Sequence, residues 1–199
     1  MDVGAEAAAR LISDAVATDD PLDAALVVRV RGGDSDALAE LVSRHTERAF
    51  RIAFRVMRHR EDAEDLVQDA WIAALRGIDD YDLARPFAPW FNRILVNRGL
   101  NARKRRTLRE TDSLPEIAAS RHSPERDSER AELRRRVAAA LDALPERQQV
   151  IVRLFELEGF SAVEIGEMLE LADGTVRWHL HQARKLLRES LGAYRRSTP

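Results

Sequence analysis

From Ser35 onward the apolar residues Leu38, Leu41, Val42, Ala49, Ile52, Ala53 and Val56 return every three or four positions, the spacing that lays one stripe along a helix. Ser35 stands at the head of the run as an N-cap, placed to accept a backbone N–H of the first turn. The stretch before it, LDAALVVRVRGGD, points two ways. Val27, Val28 and Val30 favour a strand by propensity, whereas the helical neighbours and the Gly32-Gly33 stop favour a short helix, which is the expectation adopted. A second stripe, Ala63, Leu66, Val67, Ala70, Trp71, Ala74 and Leu75, predicts a helix that Gly77 ends and that gathers Asp62, Asp65 and Asp69 on its other side. After IDDYDLARPFA, Pro89 suits the first position of a further helix, where its missing N–H costs little, and Phe87, Phe91, Ile94 and Leu95 mark the buried side.

Between about Thr107 and Arg130 the periodicity fails, and TDSLPEIAASRHSPERDSER is rich in serine, proline and mixed charge, the composition of a linker. Helical spacing resumes at Leu133, Val137, Ala140, Leu141 and Leu144, breaks at Pro145, and returns at Val150, Ile151, Leu154 and Leu157 before Gly159. The expected fold is all-α: two small helical domains on a flexible tether. The boundaries read as a variable extension over 1–24, a first domain over 25–107, the linker over 108–130 and a second domain over 131–195.

Composition narrows the setting. With 45% hydrophobic and 33% charged residues over 199 positions, the chain has the balance of a soluble globular protein. It has no cysteine, which excludes disulfides, thiolate zinc sites and a cysteine nucleophile and fits a reducing cytoplasm. The amino end, MDVGAEAAARLISDAVATDD, has acids where a secretory signal needs a positive flank, and no later stretch reaches membrane-spanning length. A cytoplasmic protein is expected. The net charge of −2 conceals segregation. Glu61, Asp62, Glu64, Asp65 and Asp69 crowd one span, and Arg93, Arg98, Arg103, Lys104, Arg105, Arg106 and Arg109 another. Two oppositely charged surfaces imply two kinds of partner.

A second basic region closes the chain in GFSAVEIGEMLELADGTVRWHLHQARKLLR. Ser161 and Glu164 have the spacing of a capping box, and Ile165, Met168 and Leu169 give the helix after it an apolar side. LADG turns the chain. The last helix then sends Val176, Leu180, Ala183 and Leu187 inward and Arg177, His181, Arg184 and Arg188 outward on one stripe, which is helix-turn-helix geometry. Duplex DNA is the physical match, since a helix fits the major groove, arginine bonds bidentately to guanine and basic neighbours neutralise phosphate. A solvated basic face on a bundle's last helix has the same local pattern. Metal binding by His179 and His181 is disfavoured, because residues two apart on a helix diverge.

Taken together, these segments resemble a known family. LDALPERQQVIVRLFELEGFSAVEIGEMLELADGTVRWHLHQARKLLRESL is similar to the fourth domain of bacterial sigma factors of the extracytoplasmic-function group, a branch of the sigma-70 family. GDSDALAELVSRHTERAFRIAFRVMRHREDAEDLVQDAWIAAL, with the later PWFNRILVNRGLNARKRR, resembles that family's second domain. The resemblance covers roughly residues 25–107 and 131–192, in the family's order. It implies a dissociable initiation subunit that binds core RNA polymerase, directs it to specific promoters and opens the start site, with no chemistry and no cofactor of its own.

On that resemblance, Asp62, Glu64, Asp65, Gln68 and Asp69 would dock the coiled coil of the largest polymerase subunit. Trp90, Asn97, Arg98, Asn101, Arg103, Lys104 and Arg105 would read and melt the minus-ten element, with Tyr81 a weaker candidate for a wall beside an extruded base. Thr175, Arg177, Trp178, His181, Arg184, Lys185 and Arg188 would contact promoter DNA at the minus-thirty-five element. An anti-sigma protein is the expected regulator, since only GAYRRSTP follows Leu191 and control would come from outside. Residues 1–24 match nothing in the family.

Several positions depart from the family pattern. Asn101 replaces a usual acid, and Gly99 interrupts the helix at about 1 kcal/mol relative to alanine. Pro89 stands where a better helix former is usual, and Ala172 replaces a capping serine, leaving Asp173 to take over that cap. Arg103 to Arg106 meeting the acids of EDAED or the linker would give the free chain a compact state with its DNA faces hidden. The chief rival is a free-standing helix-turn-helix regulator with an amino-terminal helical interaction domain. It leaves the NARKRR helix and the acidic helix as coincidences. An enzyme finds no support in the sequence, which has no glycine-rich phosphate loop, paired histidine ligands or nucleophile motif.

Overall fold

The computed structural model describes residues 21–112 and 129–195, and among them there are eight α-helices and no strand. The first domain comprises α1 (Pro21–Arg31), α2 (Ser35–Met57), α3 (Arg60–Arg76) and α4 (Phe87–Asp112). The second comprises α5 (Glu129–Asp142), α6 (Glu146–Glu158), α7 (Ala162–Leu169) and α8 (Asp173–Arg195). The ambiguous valine-rich stretch is helical. It starts at Pro21, ahead of the boundary expected at residue 25, and carries Asp23 into the core. Most of the expected linker lies outside the described residues, although α4 runs on to Asp112 and α5 begins at Glu129.

Asp23 explains why α1 belongs to the first domain. Its carboxylate is 5% exposed and accepts Arg44 Nε at 3.0 Å, with His45 Nε2 at 2.8 Å. Burial alone would push that carboxyl up, but the His45 and Arg44 hydrogen bonds and charges together hold it below the ordinary aspartate value. At the other end of α1, Arg31 donates to the carbonyls of Ile78 and Tyr81, tying down the loop between α3 and α4. The cap of α2 is Asp34 rather than Ser35. Gly33 at φ 85° turns the chain, so Asp34 is the last extended residue, and its Oδ1 accepts the N–H groups of Asp36 and Ala37. Pro89 is not the first residue of its helix either. α4 begins at Phe87, and Pro89 falls within the first turn, where N–H groups have no intrahelical partner in any case.

Phe87 and Phe91 anchor α4 in an aromatic cluster. Trp71 lies 4.2 Å from Phe91 by ring centroids, and Tyr81 meets the edge of Phe87 at 5.7 Å. Further along, Gly99 does not break α4, which is continuous. A Cβ at Gly99 would sit 2.7 Å from Val56 Cγ1 and 2.8 Å from Leu66 Cδ2. The glycine gives up helix propensity so that α4 can lie against both α2 and α3.

In the second domain the capping box forms as expected, with Glu164 N–H on Ser161 Oγ at 3.2 Å and Ser161 N–H on Glu164 Oε2 at 2.8 Å. Glu170 ends α7 in the left-handed region. Gly166 permits the tight turn that follows, since a Cβ there would meet the Leu171 carbonyl oxygen at 2.6 Å. Asp173 is itself the first residue of α8. Its Oδ1 takes the Gly174 N–H, while the Ala172 carbonyl receives the N–H groups of Thr175 and Val176. The turn between α5 and α6 is held by Gln149 on the Asp142 and Leu144 carbonyls and by the buried Arg153 on Asp142 at 3.1 Å.

The two domains, whose packing the sequence leaves open, lie against each other. α4 packs on α7 and α2 on α6, and the buried apolar residues form one continuous cluster from Leu26 to Ala183.

Two stability measurements follow. Gly99→Ala will lower stability by about 1–2 kcal/mol in urea unfolding, because overpacking at the stiff Val56 outweighs the helix gain. The loss will shrink when Val56→Ala is added. Asp23→Ala will cost about 1–3 kcal/mol at neutral pH by leaving the part-buried Arg44 and His45 donors without their acceptor. Because the folded pKa of Asp23 is lowered, its contribution is present above the ordinary aspartate value and is lost as pH falls through the folded one, so wild type and variant will converge in acid.

Candidate nucleic-acid and polymerase interfaces

The acidic and basic spans that the sequence separates turn out to face each other. Asp62, Asp65 and Asp69 of α3 form one wall of a cleft of about 680 Å³, and Arg98, Asn101, Ala102, Lys104 and Arg105 of α4 form the other, over Met57 and Leu66. Arg106 bridges to Asp62 at 3.1 Å and Arg98 to Asp69 at 3.8 Å. These are exposed contacts, each worth little against water and salt. They leave a polar groove whose walls exchange partners readily. The apolar Met57 and Leu66 on its floor were invisible as site residues, because only the crossing of α2, α3 and α4 brings them there.

The remaining candidates on these helices divide. Glu64 pairs with Arg60 at 2.8 Å and does not line the cleft, and Gln68 is exposed outside it. Ile72, one turn beyond Gln68, is 48% exposed, an apolar residue off the buried stripe. Trp90 is half-buried against Tyr81 and Phe87, and Asn97 is half-buried. Tyr81 is only 4% exposed and donates its hydroxyl to the Arg85 carbonyl, so its ring is core and offers no wall to a base. Arg103 is drawn inward. It donates to the Val56 carbonyl at 2.7 Å and meets Glu146 of the second domain at 2.5 Å, whereas Arg106 pairs with Asp62 of EDAED.

The basic stripe of α8 is displayed as expected. Arg177, Trp178, His181, Arg184, Lys185 and Arg188 are exposed, and Thr175 is half-buried in the first turn. Two arginines are held in place. Arg177 pairs with Asp173 at 2.8 Å. Arg184 pairs with Glu156 at 2.9 Å and lies over the Phe155 ring, 5.4 Å from its centroid. Glu156 and Phe155 carry no local signal for this role, since they sit on another helix. Val176, Leu180 and Ala183 fix the opposite face in the core. A cationic helix held on a packed base, with side chains free to reach a groove, has the chemistry for duplex DNA.

His179 points the other way. Its Nδ1 is buried without a hydrogen-bond partner, and burial, then the nearby Arg147 charge, holds its pKa below the usual histidine value. It shares no site with His181. Among the described residues no group of three or more His, Cys, Asp or Glu is arranged to hold a metal ion. No helix among them is long and apolar enough to cross a membrane.

Comparison with known proteins finds matches in both halves of the chain. Residues 41–109 match the family model for Sigma-70 region 2, and residues 134–187 match that for Sigma-70, region 4. The chain is 35% identical to the ECF RNA polymerase sigma factor SigE of Mycolicibacterium smegmatis over 83% of this chain and 67% of that protein. It is 34% identical to the ECF RNA polymerase sigma-E factor of Haemophilus influenzae, over 85% of this chain and 95% of that one. Among solved structures it is similar to CnrH in complex with the cytosolic domain of CnrY, with a TM-score of 0.62 and 27% identity over 86% of this chain and 98% of that one.

His179 yields a pH test. A histidine whose folded pKa is lowered contributes stability above its unfolded value, about 6.5, and loses it as pH falls through the folded value. Wild type will therefore lose stability on acidification below about pH 6.5, and His179→Leu will flatten that part of the curve, as followed by thermal unfolding between pH 8 and 5.

Proposed function

The chain belongs to the extracytoplasmic-function group of the sigma-70 family, and from that premise we propose how its surfaces divide the work of initiation. It is an alternative sigma factor, directing RNA polymerase to promoters. The observation that carries this is the presence of both regions, in order, on one chain. A free-standing regulator would need only the second. The first domain, 25–107 with the helix from Pro21, is the polymerase-docking and minus-ten unit, and the second, 131–195, is the minus-thirty-five unit.

The acids Asp62, Asp65 and Asp69 meet polymerase, with Glu64 and Gln68 at the margin of the contact. The opposite wall, Arg98, Asn101, Lys104 and Arg105, takes the phosphates and polar base edges of the minus-ten strand, and Asn97, Trp90 and Arg103 lie behind it. What supports this is the cleft, in which a cationic and an anionic wall are held ready within one unit. On α8, Arg177 and Arg184 read base edges, Trp178 and Thr175 contact the groove, and His181, Lys185 and Arg188 meet backbone phosphate. The protein acts by binding, without catalysis or cofactor, and works in the cytoplasm, where polymerase and promoter are. An anti-sigma protein is its regulator. CnrH, to which this chain is similar, was solved with a protein partner, the cytosolic domain of CnrY.

The test of docking is a titration with bacterial core RNA polymerase in the absence of DNA. Binding will be tight, and Asp62→Ala, Asp65→Ala and Asp69→Ala combined will weaken it at least ten-fold, about 1.4 kcal/mol. Failure to bind, where a known sigma factor binds, would return the free-standing regulator. For promoter contact, Arg177→Ala and Arg184→Ala will each cost about 1–3 kcal/mol of holoenzyme affinity for promoters that contain a matched minus-thirty-five element, measured by competition at fixed salt. Equal losses on DNA lacking that element would remove both from base reading.

A further inference from the structure

The fold treats the three tryptophans of the chain very differently. Trp71 is 8% exposed inside the aromatic cluster and Trp90 is half-buried beside Tyr81 and Phe87, but Trp178 on α8 is 54% exposed. A tryptophan carries a large apolar surface and is highly buried on average, so one left in water has a hydrophobic cost that internal packing does not offset. Aromatics of this kind are enriched where another molecule covers them. The setting of Trp178 is also particular. Arg177 stands one residue before it and His181 one turn after it, with Arg184, Lys185 and Arg188 further along, all exposed. An indole among cations that already suit duplex DNA points to an apolar feature on the same DNA surface.

The helix leaves room beside this residue. Gly174 lies four positions earlier, on the same face, and a Cβ there would meet nothing within 4 Å. Long side chains on a helix lean over the preceding turn, so the bare turn at Gly174 is open space on the side toward which position 178 leans, with Thr175 half-buried next to it. On its other flank the indole is steadied by His179, the two ring centroids lying 5.0 Å apart in a T-shaped contact. His179 is itself set inward, its Nδ1 buried, and Val176 and Leu180 hold this part of α8 in the core. Trp178 therefore projects from a rigid base near the amino end of α8, the part of a helix-turn-helix reader that meets base edges.

We propose that Trp178 is a specificity residue that reads the C5-methyl group of one thymine in the major groove of the minus-thirty-five element, beside the open turn at Gly174. The identity of the DNA rests on the sigma reading, whereas the contact itself does not. The assignment follows from what the groove displays. Its base edges are hydrogen-bond donors and acceptors except for the thymine methyl, the apolar group that a side chain can meet there. Phosphate is the competing target, because the indole N–H is a donor. The ring face has nothing to offer phosphate, however, and the cations around it already serve that role. A thymine methyl uses the apolar surface that the fold leaves exposed. The reading is directional as well, since a T·A pair and its A·T inverse place the methyl on opposite sides of the groove.

Uracil in place of thymine removes the methyl and leaves base pairing intact, and a selection makes the test independent of any known promoter. Holoenzyme assembled from the full chain and bacterial core polymerase is used to select from two duplex libraries randomised over the length of a promoter. One library is made with thymine and the other with uracil, at the same salt. From thymine DNA the wild type will enrich a minus-thirty-five motif with a T·A pair at one position. From uracil DNA the preference at that position will fall about three- to ten-fold, as expected for one buried methyl. Trp178→Ala will lose the same preference on thymine DNA, show no further loss on uracil DNA and keep the other positions of the motif. Trp178→Phe, an apolar ring without the N–H, will keep most of the methyl effect. Circular dichroism on each variant separates lost contact from lost fold. The same motif selected equally from both libraries, or a methyl effect that survives in Trp178→Ala, would overturn the contact. A loss in Trp178→Phe as large as in Trp178→Ala, without dependence on the methyl, would overturn it too and assign the indole N–H to phosphate. If no holoenzyme forms, the sigma reading falls, and the same libraries selected by the chain alone decide the methyl contact by the same comparison.

Discussion

The close approach of α4 to α2 and α3 at Gly99 is the constraint on which the rest depends. With no side chain there, α4 comes within van der Waals reach of Val56 and Leu66, and that distance sets the width of the cleft between the acidic and basic walls. It also sets which of the α4 cations face the cleft and which leave it. Arg98, Asn101, Lys104 and Arg105 line the groove, while Arg93 and Arg103 turn toward the second domain. A single helix therefore serves two contacts because one small residue lets it sink between two others. A larger residue at 99 would lift α4 and disturb both.

Much of the fold was legible in the sequence. Helical stripes are local and cumulative, and the one behind Ser35 places Leu41, Ala49, Ile52, Ala53 and Val56 in the core. The capping box at Ser161 and Glu164 is equally local, and it forms. Local reasoning slipped where two neighbours competed for one role. Asp34 takes the cap expected of Ser35 because the left-handed Gly33 decides which residue is last before the helix. Gly99 was read as a defect of α4, because its benefit lies in contacts with residues far away in the chain. The candidate site divides along the same line. The exposed stripe of α8 follows from helical phase alone, but the facing of Asp62 toward Arg106, or Arg184 over Phe155, depends on how helices cross. Tyr81 went astray for that reason too: its loop is pinned by Arg31, and the ring is drawn into the core.

The charge distribution gives a common explanation for these contacts. A net charge of −2 arises from 32 cationic and 34 anionic residues, so the molecule is an array of opposed patches rather than a weakly charged body. Within the first domain they face across the cleft, and between the domains they face across the seam. The cleft pairs, and those of the seam apart from the ones at Glu158 and Arg103, are exposed enough that water, salt or another charged surface can replace a partner at low cost. The permanent contacts are of another kind. The buried Asp23 with Arg44 and His45, and the buried Arg153 with Gln149 and Asp142, join elements inside one domain, where exchange would mean unfolding.

That contrast orders the cations of the two basic helices, α4 and α8. The cations of α8 are held by acids on their own domain, Arg177 by Asp173 and Arg184 by Glu156, so relative motion of the domains does not change their setting. Those of α4 do not share this independence, since Arg93 and Arg103 have their carboxylates on the second domain. The two basic helices thus differ in what holds them: Arg177 and Arg184 of α8 are paired within their own domain, whereas Arg93 and Arg103 of α4 are paired across the seam. Exposed ion pairs of this kind are each weak alone, and the set is sensitive to salt and to any charge brought near it.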